Sequence, residues 1–151
     1  MLQLYRGKVV LPQQVFDELS NPSIPHIKNK VATLCSSGDI LTMQIEAETE
    51  EYGIYHELAL SPSKGVKNIG RGEAAVLALA KVHGGIVASN NLKDISIYIE
   101  QYKLPHVTTG IILAAALKKG IINEEQGNEI WRKMLAKRRL LPTVTFSDYL
   151  K

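Results

Sequence analysis

The stretch Asn68–His83, NIGRGEAAVLALAKVH, constrains this chain more than any other. A tight basic turn, Gly70–Arg71–Gly72, opens a helix with Ala or Leu at nearly every following position. A helix so poor in polar residues has to be buried and closely packed, so the other elements must assemble around it. One carboxylate, Glu73, stands in its first turn. Two readings of it are open. It is an acid that complements the helix dipole, or it is a carboxylate that a buried helix presents to a site.

The flanking sequence alternates between short apolar runs and helical patterns. Lys8–Leu11 predicts a strand, stopped by Pro12, which can begin a helix over Gln13–Leu19 with Val15, Phe16 and Leu19 on one face. Asn21–Pro25 is a break, and a helix over Ile27–Ser36 ends at Gly38. Ile40–Ile45 has the composition of a strand. Glu46–Leu60 predicts a helix whose acids gather at one end and face solvent, with a cation site there as the alternative. Ser61–Gly70 is a polar loop carrying Lys64 and Lys67.

After Gly84–Gly85 come a strand at Ile86–Ala88, a Ser89–Asn90–Asn91 turn, a helix over Leu92–Tyr102 and a strand at His106–Thr108. Thr109 is read as the cap of an apolar helix, Ile111–Lys119, closed by Gly120. Asn123 caps the last long helix, which runs to about Leu140 before Pro142. The tail TVTFSDYL reads as a strand followed by a short turn. Strands alternating with helices predict an α/β fold with a mostly parallel sheet and right-handed crossovers. Sites in such folds form at the carboxyl edge of the sheet.

A length of 151 residues predicts one domain spanning 1–151. Hydrophobic residues make up 45% and charged residues 22%, enough for a core without covalent staples. A net charge of +3 permits a nucleic-acid partner without requiring one. Cys35 is the single cysteine, so no intrachain disulfide can form, and a reducing cytoplasm is the expected compartment. Cys35 reads as a packing residue. No apolar run approaches the roughly 18 residues of a membrane span, so no membrane partner is expected.

Four segments in register resemble the PIN-domain family, in particular a short prokaryotic branch of it. LPQQVFDEL resembles that family's strand, Pro, then V-x-x-E-L helix. GRGEAAVLALA resembles its G-x-G-E-A helix, and VASNNLKDI its strand followed by an acidic turn. TTGIILAAALKKGII resembles its G-T-x-G-I-L segment. The resemblance implies a three-layer fold, with helices flanking a central parallel sheet, and a Mg²⁺- or Mn²⁺-dependent ribonuclease of toxin–antitoxin type. Hard divalent ions want oxygen ligands, and in such a site they activate water and neutralise the developing phosphate charge.

Carried over, Glu18 matches the helix acid and Glu73 the acid of the Gly-rich motif. Asn91, or Asn90, falls on the strand-end aspartate, and Asp94 is a possible substitute for it or simply a first-turn charge. Of four implied acids, Glu18 and Glu73 are in place. Arg71 and Thr109 would contact RNA, with Lys64 and Lys67 as further backbone contacts or as a solvated loop. The family's first strand, ending in Asp, has no counterpart here, and Met1–Gly7 reads as the end of the helix that would follow it.

The sheet is therefore expected to lack a strand between Lys8–Leu11 and Ile86–Ala88. Three outcomes follow: the half-sheets close on each other, the chain is a fragment of a longer product, or the slot is filled. A partner chain, as in a homo-oligomer, or Thr143–Phe146 could fill it. Two functions follow from the same resemblance: the metal-dependent ribonuclease acting on RNA, and an inactive PIN-fold module binding an antitoxin-like protein or nucleic acid. Outside the resemblance, the basic WRKMLAKRR helix could bind nucleic acid, although Arg132, Lys133, Lys137, Arg138 and Arg139 do not share one face.

Overall fold

A computed structural model describes residues 3–19, 25–61 and 68–151. In chain order its elements are β1 (Val9–Pro12), α1 (Gln13–Glu18), α2 (Pro25–Ser36), β2 (Ile40–Met43), α3 (Glu50–Ala59) and α4 (Arg71–His83). They continue with β3 (Val87–Ala88), α5 (Leu92–Tyr102), β4 (His106–Val107), α6 (Thr109–Lys118), α7 (Glu124–Ala136) and α8 (Phe146–Tyr149). The fold is mixed α/β, mainly helical, with short parallel strands.

The Ala-rich stretch forms α4 and is the centre of the larger core. Ala74, Ala75, Leu77 and Ala78 are fully buried, with Leu58 of α3, Val87 of β3 and Ile95 of α5 in the same cluster. Small side chains let α3 and the strands approach the α4 backbone closely. Gly84 closes α4 in the left-handed conformation, φ 67°, as the Gly84–Gly85 pair predicts. Gly38 ends α2 with φ 74° in the same way.

β1 pairs with β2 in parallel, from Val9–Ile40 to Pro12–Met43. β3 pairs with β4 in parallel, Val87 with His106 and Ala88 with Val107. These are two separate two-stranded sheets. The half-sheets therefore do not close on each other, and Thr143–Phe146 does not fill the space between them. Phe146 is instead buried in a second cluster with Trp131 and Leu113, and the Trp131 indole Nε1 donates to the Thr143 carbonyl at 2.9 Å. Gly127 is required there, because a Cβ on it would run into the Phe146 ring.

Several predicted boundaries are corrected. The tail is not a strand: Thr145 caps α8, its hydroxyl accepting from the Asp148 N–H at 3.0 Å. Thr108, not Thr109, caps α6. Residues 3–8 are turns rather than the end of a helix. β2 stops at Met43, and α7 ends at Ala136 because Arg138 turns to φ 56°. Asn123 caps α7 as predicted, in a reciprocal pair with Gln126. Most of the Asn21–Pro25 break, and Lys64 and Lys67, lie outside the described residues. Among the described residues no helix is long and apolar enough to cross a membrane.

Candidate functional site

The N-terminal turn of α4 gathers the predicted site residues. Gly70, at the N-cap, has no side chain to satisfy the first amides of the helix. Two carboxylates take over that task. Glu73 turns back so that its Oε2 accepts from the Gly70 N–H at 3.1 Å. Glu18, the last residue of α1, reaches across so that its Oε1 accepts from the Gly72 N–H at 2.9 Å. Both charges lie at the positive end of the helix dipole, where they are favoured.

β3 runs back along α4 and delivers Asn91 to the same place. The Asn91 side-chain NH₂ donates to Glu73 Oε1 at 2.5 Å and to Asp94 Oδ2 at 2.9 Å. Its backbone N–H is held by the Ser89 hydroxyl at 3.0 Å. Asn90 points elsewhere. Its amide donates to Thr109 Oγ1 and its carbonyl oxygen accepts from the Thr109 N–H, both at 2.9 Å. This pair ties the end of β3 to the start of α6 and commits the Thr109 N–H and hydroxyl within the protein. Arg71 is exposed at the first position of α4.

Glu73, Asn91 and Asp94 are thus joined directly, with Glu18 on the adjacent amide and Arg71 between the two glycines. Of the two asparagines, Asn91 is the one brought to the acids. What the sequence reading did not find is the Asn90–Thr109 clasp. Two consecutive amides after a strand were its only signal.

The donor set does not suit a divalent ion as it is arranged. A Mg²⁺ or Mn²⁺ ion needs several oxygens converging on one point. Here the position between the Glu73 and Asp94 carboxylates is occupied by the N–H donors of Asn91, and Glu18 is turned onto a backbone amide. Among the described residues no group of three or more His, Cys, Asp or Glu side chains is placed to hold a metal ion.

The acidic end of α3 has a structural role of its own. Glu51 is not simply solvent-facing, since its carboxylate lies 2.6 Å from His83 Nε2 at the end of α4. Its backbone N–H, with the Thr49 hydroxyl and His83, holds its carboxyl below the usual range. The Lys133 ammonium does the same for Glu129, and the Thr145 hydroxyl with Lys151 for Asp148. A depressed folded pKa gives stability that is present above the unfolded value, about 4 for these carboxyls, and lost as pH falls through the folded value. Thermal unfolding should therefore shift to lower temperature as pH drops below about 4.5. Glu51→Gln should flatten part of that acid limb, and an unchanged limb would refute the role of Glu51.

Compared with known proteins, this chain matches no family model, no curated sequence and no solved structure.

Proposed function

We propose that this chain is a PIN-like α/β module on the family's three-layer plan that binds a partner instead of cleaving RNA. The observation that carries this reading is the Asn91 amide, which donates to both Glu73 and Asp94. It supplies the positive edge that a cation would otherwise provide, so the acids are satisfied without one. The partner class favoured is a protein of antitoxin-like kind in the cytoplasm, with nucleic acid as the alternative ligand.

The metal-dependent ribonuclease is the second reading. It is favoured by the convergence of Glu73, Asn91 and Asp94 on the α4 N-terminus, with Glu18 beside them. Titrating Mn²⁺ into the chain by calorimetry separates the two. The binding-module reading expects no heat of binding, and no RNA cleavage that depends on Glu73. Mn²⁺-stimulated cleavage that disappears in Glu73→Gln would overturn it.

A further inference from the structure

We infer that α7 carries a self-recognition surface: the open groove beside it takes α7 of a second copy of this chain, laid antiparallel. The groove has a volume of about 800 Å³. One wall is a stripe along α7, formed by Glu125, Asn128, Glu129, Arg132 and Leu135 at helical spacings of three and four. The other wall is the chain entering α8, with Val144, Thr145 and Ser147. Gly127 and Trp131, on the neighbouring side of α7, are buried against Phe146 and hold the stripe in place.

Most polar groups of the groove are already engaged. The Asn128 side-chain oxygen accepts from the Phe146 and Ser147 N–H groups at 2.9 and 3.2 Å, and its amide donates to the Ser147 hydroxyl at 2.7 Å. The Ser147 hydroxyl in turn donates to Glu124. The Thr145 hydroxyl donates to Asp148 at 2.6 Å. Glu125 and Arg132, by contrast, make no close ion pair among the described residues. Charge and apolar surface are therefore what the groove offers for recognition. Leu140 and Val144 are the most exposed large hydrophobic side chains among the described residues, at 88% and 80%. Val144 stands on the groove wall, and Leu140 lies just past the end of α7.

The occupant follows from the order of charge along α7. Glu124, Glu125 and Glu129 occupy its first half. Arg132, Lys133, Lys137, Arg138 and Arg139 occupy its second half and the residues just beyond. Two such helices side by side in parallel set like charge against like. Antiparallel, the acidic half of each meets the basic half of the other, twice by symmetry. Pairing within α7 does not use this complementarity up, because the Glu129–Lys133 bridge, 2.6 Å long, is exposed and weak. A contact between two helices of 13 residues is small, so the dimer is transient. None of its residues belongs to the Glu73 turn, and it does not depend on the reading of that turn.

The test is sedimentation equilibrium of the full chain from about 10 µM to about 1 mM, where a monomer–dimer equilibrium is expected. Glu125→Lys with Glu129→Lys, and separately Arg132→Glu with Lys133→Glu, should each weaken association about tenfold or more. An equimolar mixture of these two variants should associate at least as tightly as the parent chain, because each supplies the charge that the other has lost. Val144→Ser, at an exposed position, should also weaken association while leaving the circular dichroism spectrum unaltered. That variant separates docking in the groove from attraction between oppositely charged chains. Four results would overturn the proposal: a monomer at every concentration, which would leave the groove to a foreign helix; parent-like association in either reversed variant; a mixture that associates no better than its components; or no effect of Val144→Ser.

Discussion

Alanine in place of Trp131 is expected to lower the unfolding free energy by about 3–5 kcal/mol. The indole is fully buried, with its ring 5.7 Å from that of Phe146 and 5.4 Å from that of Tyr149. Its removal leaves a cavity at the centre of the α6–α8 cluster and deprives the Thr143 carbonyl of its donor. Gly127→Ala, one turn before Trp131 on the same face of α7, overpacks the same cluster by pressing a methyl into the Phe146 ring and should cost about 1–3 kcal/mol. Urea unfolding checks both. A midpoint unchanged in Trp131→Ala would mean that α8 is not held by this cluster.

The second effect, a gain of metal binding, is expected at Asn91. Asn91→Asp removes an amide that satisfies two acids and adds a third carboxylate beside them. The position is exposed, so solvent screens part of the repulsion. A loss of up to about 1 kcal/mol is expected without divalent ions. Millimolar Mn²⁺ should recover it by binding the folded state, and calorimetry should detect an ion that the unsubstituted chain does not bind. If the variant is as stable as the parent and equally indifferent to Mn²⁺, then Asn91 is not standing where a cation would.

What the sequence made legible was local. The burial of α4 follows from its Ala and Leu content, and the stops at Gly38 and Gly84 and the cap at Asn123 follow from backbone chemistry that neighbours cannot override. The tail was misread because Thr143–Phe146 alternates like a strand. The competing signal, a Thr145-x-x-Asp148 cap, was present and prevailed because Phe146 had an apolar pocket to enter. The split into two sheets was not legible from strand patterns, because pairing is decided by segments far apart in sequence. At the site, the meeting of Glu18 with the α4 turn and of Asn91 with Glu73 was suggested by resemblance alone. Periodicity places each residue on its own element but says nothing about which elements meet.

Glu18 and Gly72 lie 54 positions apart in the chain, yet one supplies the other's hydrogen-bond acceptor. The two ends of α4 are therefore completed on different schedules. Its C-terminal end is closed by Gly84, a neighbour in sequence, as soon as the helix forms. Its first turn is finished only when β1 and α1 have docked, after a long loop has closed. The start of the central helix is thus expected to be completed late in folding, which a low φ-value for Glu18→Ala would check. A change that loosens the β1–α1 unit will be felt first as fraying at Gly70–Glu73, although none of those residues has been altered.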